Sequence, residues 1–144
     1  AYTGSTEDVQ KSKEAAQAMI DKGVDLIGGG GNASNAGMIK ACEEAGVYAF
    51  GELEQQNLAP ETVIFCNMNN IENLVLQAVK DTIDGDFQGC IREYGIAADV
   101  AQLTEYNSHV PQEVKDKLAE CMDQMRSGEL DIPMITEISD DIIH

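Results

Sequence analysis

The sequence predicts an α/β domain: a parallel sheet covered by helices. Three observations carry that prediction. Short apolar runs alternate with amphipathic helical stretches, and the connections between them are mostly a few residues long. The segment Val24-Asp-Leu-Ile-Gly-Gly-Gly-Gly-Asn-Ala-Ser-Asn-Ala-Gly37 runs an apolar strand through four glycines into a polar helix start. Parallel strands need helical crossovers, which place helices on both faces of the sheet. At the carboxyl end of such a strand, glycines let the backbone approach a ligand closely, and the next helix presents free N–H groups.

The elements follow in order. Ala1 to Ser5 reads as the tail end of a strand. Glu7 to Lys22 carries Val9, Ala15, Ala16, Ala18, Met19 and Ile20 among Lys, Glu and Gln, a small-residue helical face suited to a sheet, and Gly23 ends it. Val24–Ile27 is a short buried strand. A helix begins at Ser34 or Asn35, runs through Glu44 and stops at Gly46. Val47–Phe50 is the next strand, and the polar stretch from Gly51 to Glu61, with Pro60, is a loop. Thr62–Cys66 is a strand. Asn69 or Asn70 caps a helix from Ile71 to about Ile83, where Ile71, Leu74, Val75, Ala78 and Val79 keep helical spacing and Gly85 terminates. Gly89–Tyr94 reads as a strand and Val100–Leu103 as a short extended stretch. Pro111 opens a last amphipathic helix to about Ser127. Residues 1–133 thus form a single α/β unit, and 134–144 an acidic tail, loosely held.

Composition narrows the function classes. A chain of 144 residues, 43% of them hydrophobic, is long enough for one domain with a real core. Nine basic residues against 26 acidic ones give a net charge of −17, so nucleic acid and anionic membrane surfaces would be repelled. Cys42, Cys66, Cys90 and Cys121 are widely spaced, with no C-x-x-C pair to begin a zinc or redox site. Each neighbours apolar residues and reads as a buried small hydrophobe. No stretch approaches the ~18 apolar residues of a membrane span, and the first residues show no signal peptide, as expected of a mature or excised piece.

Read together, Tyr2-Thr-Gly-Ser-Thr-Glu-Asp8, Glu14-Ala-Ala, Asp21-Lys-Gly-Val-Asp-Leu-Ile27, the glycine loop and Ala41-Cys-Glu-Glu-Ala-Gly-Val-Tyr-Ala-Phe-Gly51 resemble the basic membrane protein family. These are substrate-binding lipoproteins of ABC transporters, related to the purine-nucleoside receptor. The resemblance continues through Leu58-Ala-Pro-Glu-Thr-Val-Ile-Phe-Cys66, Asp84-Gly-Asp-Phe-Gln-Gly89, Val110-Pro-Gln-Glu-Val-Lys115 and Ser127-Gly-Glu-Leu-Asp-Ile-Pro133. It implies a type I periplasmic-binding-protein fold, with two α/β lobes closing on a ligand, of which this chain resembles the carboxyl-terminal lobe. It further implies a small-molecule ligand, an amino-terminal lobe and an ABC permease as partners, no cofactor, and an extracytoplasmic place with the membrane reached only through a lipid anchor outside this chain.

The same resemblance points to site residues. Family members carry an acidic side chain after the strand matching Val47–Phe50 that accepts ligand hydroxyls, and Glu54 stands at that position. A carboxylate can take two sugar hydroxyls at once through charge-assisted bonds. Alternatively, Glu54 beside Glu52 is a solvated loop acid. After the strand matching Thr62–Cys66 the family often carries a lysine; here Asn69 replaces it, an amide without charge that serves equally as a helix cap. Gly30, Gly31, Asn32 and Ser34 would line the cleft with backbone N–H and small polar groups. No aromatic residue in that loop offers a stacking platform for a base.

Two other function classes are compatible with parts of the sequence. A sensory or regulatory domain of the same fold would present its closed form to another protein. A nucleotide-binding enzyme domain would exploit Gly28-x-Gly30-x-x-Ala33, which mimics a dinucleotide fingerprint with Glu52 and Glu54 about twenty residues on. Against it, the loop follows a helix-first segment and not an opening strand. Catalytic candidates are thin: His144 is terminal, and Cys66 with His109 would need a thiol at the end of a buried strand to be reactive.

Overall fold

The computed structural model describes residues 3–133. These residues form, in order, α1 (Val9–Ile20), β1 (Leu26–Gly28), α2 (Asn35–Ala45), β2 (Tyr48–Glu52), β3 (Val63–Asn69), α3 (Ile71–Ile83), β4 (Ala101–Leu103) and α4 (Gln112–Ser127), with β2 and β3 following one another without an α-helix between them. Short 3-10 turns at Gln55–Leu58 and Ile96–Ala98 interrupt the loops. The sheet order is β1-β2-β3-β4, with β1, β2 and β3 parallel and β4 antiparallel to β3. The fold is therefore α/β and largely parallel, as the sequence suggests.

Local chemistry explains the helix limits. The Asp8 carboxylate accepts the Lys11 N–H at 3.0 Å and opens α1. Gly46, left-handed at φ 70°, closes α2 with its N–H on the Cys42 and Glu43 carbonyls. The α3 cap is Asn70, whose side chain accepts the Asn73 N–H at 3.1 Å, while Asn69 is the last residue of β3. Glu72 in the first turn of α3 and Lys80 in the last complement the helix dipole.

Helices α1 and α2 pack together over one face of the sheet. In β2 the side alternates: Ala49 and Gly51 are buried, Tyr48 and Phe50 exposed. Ala49, Val63 and Cys66 from the strands meet Ile39, Ala41 and Cys42 from α2, with Ala16 from α1 completing a core of mostly small side chains. That smallness lets backbones approach. A Cβ on Gly37 of α2 would stand 2.0 Å from the Val9 carbonyl oxygen of α1, so only glycine fits where these helices touch. The opposite face over β1 and β2 leaves Leu26, Tyr48 and Phe50 more than a third exposed, so the expected cover on both faces is met here on one. On that face Phe50 stacks on Phe65 at 5.7 Å, and Tyr106 meets Phe65 edge-on.

Three expectations need correction. Gly89–Tyr94 forms no strand. The sheet runs β1-β2-β3-β4, and 89–94 pairs with none of its strands. The segment is instead tethered to the end of α3, where Arg92 pairs with Asp81 and the Tyr94 hydroxyl donates to the same carboxylate at 3.2 Å. Second, the 100–103 stretch becomes an antiparallel strand, with Met68 opposite Gln102, so the sheet is not wholly parallel. Third, Cys42 and Cys66 are buried, but Cys121 is half-buried and Cys90 exposed, because Cys90 sits on the strandless segment; all four are free thiols. Of the expected strand at Ala1–Ser5, Ala1 and Tyr2 lie outside the described residues, and Thr3–Ser5 is a turn held by the Thr3 hydroxyl donating to the Ser5 carbonyl. The acidic tail 134–144, with His144, also lies outside them.

Candidate functional site

The carboxyl ends of β1, β2 and β3 run out at one edge of the sheet, which is where open α/β sheets place ligands. The glycine loop follows β1, residues 52–54 follow or end β2, and Asn67–Asn69 end β3. Register decides what meets there. Gly28 pairs with Phe50, so two residues further on Gly30 comes level with Glu52. A Cβ on Gly30 would lie 3.8 Å from Glu52 Oε1, an ordinary van der Waals contact.

Glu52 is the acid that reaches the glycine loop. Its Oε2 accepts the Gly31 N–H at 3.4 Å and the Asn35 amide at 3.4 Å. Asn35, only 2% exposed, also donates to the Gly29 carbonyl at 3.3 Å and to Gln55 Oε1 at 3.2 Å. Gln55 Oε1 in turn accepts the Glu52 N–H at 3.0 Å. The amides of Asn35 and Gln55 therefore fix the carboxylate from both its side-chain and backbone ends. A Cβ on Gly31 would stand 2.5 Å from Ser34 Oγ, so a larger residue there requires the buried Ser34 hydroxyl to move. Ser34 is buried, its N–H on the Thr6 carbonyl at 3.0 Å, and the Asn32 amide donates to Glu7 at 3.1 Å.

Between Glu52 and Glu54, Leu53 adopts φ 54°, a left-handed conformation that costs a non-glycine residue about 1 kcal/mol. Its N–H donates to the Asn67 carbonyl at 2.8 Å, which ties the end of β2 to the end of β3. Strain held by neighbours at the ligand edge of a sheet fits a functional loop.

The structure brings Gly30, Gly31, Asn32 and Ser34 together in one loop beside Glu52. Glu54 stands two residues on, exposed, before the 3-10 turn, with its carbonyl accepting the Asn57 N–H. Asn69 lines a different hollow of about 260 Å³, between the β3–β4 strands and Met122 and Met125 of α4. Glycine-loop residues Gly28, Gly29, Gly30 and Ser34 line a smaller one of about 120 Å³ against α1. From sequence, Glu52 enters only as the neighbour of Glu54 and as an acid of the mimicked dinucleotide fingerprint, Asn35 only as a helix start, and Gln55 not at all. The available signal was strand parity: Tyr48, Phe50 and Glu52 alternate along β2, but only the register with β1 carries Glu52 to the loop.

The catalytic pairing of Cys66 with His109 finds no geometric support. Burial pushes the Cys66 thiol up, and it lies under Gly51 and Gln55. The His109 ring nitrogen faces Glu61 at 3.0 Å, with Tyr48 beside the ring. No cluster of His, Cys, Asp and Glu able to hold a metal occurs among the described residues, and among them no helix is long and apolar enough to cross a membrane.

Comparison with known proteins adds what geometry cannot. The family described as ABC transporter substrate-binding protein, PnrA-like, matches residues 1–136. A purine-binding protein of Brucella abortus is 25% identical over 130 residues, which is 90% of this chain and 36% of that protein. A putative ABC transporter glucose-binding protein of Haloferax volcanii is 26% identical over 126 residues, 87% of this chain and 32% of that protein. Among solved structures, a transcriptional activator of the comK gene from Bacillus halodurans superimposes with a TM-score of 0.81 at 22% identity, covering 90% of this chain and 46% of that one. The chain thus spans about a third of the length of these curated relatives and under half of the solved one.

Proposed function

The chain belongs to the PnrA-like family of ABC transporter substrate-binding proteins, and from that premise we propose that it is one lobe of a receptor that delivers a nucleoside, or a comparably polar metabolite, to an importer. The observation that carries the ligand class is Glu52. Its Oε2 is held by Gly31 and Asn35, while Oε1, 3.8 Å from where a Cβ on Gly30 would stand, has no hydrogen-bond partner among the described residues and is the oxygen proposed to accept a ligand hydroxyl. Gly30, Gly31, Asn32 and Ser34 are the proposed loop side of the pocket. Glu54 at the rim and Asn69 at the end of β3 are the proposed secondary contacts.

In this reading the two lobes close about a hinge, each supplying part of the contacts, and ligand favours the closed state by its differential affinity. The receptor works outside the cytoplasm, held by a lipid anchor that lies beyond this chain, and binds without doing chemistry. The ligands for which these relatives are named, a purine and glucose, define the panel to test. The experiment is a thermal-shift and calorimetric screen of the full-length protein with purine and pyrimidine nucleosides, free bases and simple sugars. A nucleoside or sugar that raises the Tm of the wild type, and whose effect is lost in Glu52→Ala, supports the assignment. An undiminished response in Glu52→Ala refutes it.

A second reading is a regulatory ligand sensor of the same fold, supported by the likeness to the comK-gene activator. A DNA-binding or signalling segment in the full-length protein favours it, and a lipoprotein signal favours transport.

A further inference from the structure

We infer that the hollow beneath α4 is a site for a soft monovalent cation, Cu(I), held by the Cys121 thiolate and the Met122 and Met125 thioethers. These three residues line the hollow of about 260 Å³ between α4 and the β3–β4 strands. No carboxylate, imidazole, lysine or arginine lines it, so sulfur and neutral amides are the donor groups it offers a metal. Thiolate and thioether sulfur select Cu(I). Magnesium and calcium ions need oxygen ligands, carboxylates above all, and a structural zinc site needs four ligands drawn from Cys and His. The inference does not depend on which ligand the glycine loop takes.

Helical spacing brings the sulfurs to one place. Cys121 and Met125 are four residues apart on α4, and Met122 and Met125 three apart, the separations at which helix side chains are neighbours. Helix α2 shows what the first spacing gives in this protein. Met38 and Cys42 are also four apart, and the Cys42 thiol donates to the Met38 thioether at 3.9 Å. That pair is buried in the core, whereas Cys121, Met122 and Met125 are half-buried beside open volume. Methionine is unbranched with three rotatable bonds, so Met122 and Met125 can turn into a hollow larger than the ion.

Charge favours the same ion. On binding, the Cys121 thiol gives its proton to solvent and the sulfur bonds the metal, so thiolate and Cu(I) together are neutral. A neutral pair suits walls that include Ile96, Leu103 and Leu118, where a divalent ion would keep an uncompensated charge. The net charge of −17 raises the concentration of cations around the chain without supplying a ligand in the hollow.

The test uses the full-length protein carrying Cys90→Ser, which removes the exposed thiol, titrated without oxygen with Cu(I) in competition with bathocuproine disulfonate, and separately with Zn(II). Cys121→Ser in that background should bind one Cu(I) fewer than its parent. Met125→Leu conserves volume and should keep that ion but weaken it by at least about tenfold, since losing even a group hydrogen-bonded to a ligand costs as much. Circular dichroism checks that each variant is folded. Should Cys121→Ser fail to fold, the pair Met122→Leu and Met125→Leu carries the test, with an expected loss of about 100-fold, tenfold for each thioether. Affinity of the parent for Cu(I) should rise with pH towards the thiol range, because one proton is released. The same number of Cu(I) ions in Cys121→Ser overturns the inference. Unchanged affinity in the methionine variants overturns it too, as the mark of a thiol taking copper alone, and so does a Cys121-dependent site that prefers Zn(II).

Discussion

Replacing Gly37 by alanine separates helix propensity from packing because the two predict opposite signs. Gly37 lies inside α2, where alanine is intrinsically better than glycine by about 1 kcal/mol, so an exposed helix would be stabilised. In this structure the added methyl would meet the Val9 carbonyl oxygen at 2.0 Å, the Val9 carbonyl carbon at 2.9 Å and the Lys13 nitrogen at 3.0 Å. All three are backbone atoms of α1, so no side chain can rotate aside. The helices must part by roughly an ångström, opening the packing around buried Ala16, Met38 and Ala41. Overpacking and the loosened contacts together cost about 3 kcal/mol, and the propensity gain returns about 1, for a net loss of about 2 kcal/mol. For a chain of this size that lowers Tm by about 6 °C. Thermal and urea unfolding followed by circular dichroism read the change directly. A Tm equal to or above that of the wild type would refute the close α1–α2 contact.

Other expectations follow from particular contacts. Asn70→Ala removes the side-chain acceptor at the start of α3 and should cost about 1 kcal/mol in urea unfolding, whereas Asn69→Ala, which caps nothing, should cost less. Cys90 should react with a thiol reagent in the native protein within minutes, while Cys42 and Cys66 should react only on unfolding; modification of all three at one rate would contradict their placement. Burial raises the Cys42 and Cys66 thiols above their ordinary range. The unfolded chain then loses these protons first, so the stability they contribute is complete below roughly pH 9 and is lost as pH rises through the folded values. Urea midpoints at pH 7 and pH 10 test this, and replacing both cysteines by alanine should flatten the difference. On ligand binding, Glu52→Ala should weaken affinity by at least about tenfold, the worth of one charge-assisted hydrogen bond, and more than Glu54→Ala does.

The helices were legible because their signals are local. Asn70 and Pro111 mark starts and Gly46 a stop in the sequence, and the structure adds Asp8 and Gly128 as caps of the same local kind, each within a few residues of the backbone groups it satisfies or releases. The glycine loop between β1 and α2 and the ordered family motifs could likewise be read along the chain, and the family match over residues 1–136 agrees with them. Pairing is different in kind. Whether 89–94 or 101–103 joins the sheet depends on partners distant in the chain, and nothing inside either segment records the outcome. The site shows the same division. Sequence alone placed a glycine loop and an acidic pair near the ligand edge, but one register, Gly28 against Phe50, brings Glu52 level with Gly30 and leaves Glu54 at the exposed rim. Composition, caps and turns are fixed by neighbours in the chain; which carboxylate meets which amide is fixed by neighbours in space, through hydrogen bonds that exist only once the strands have paired.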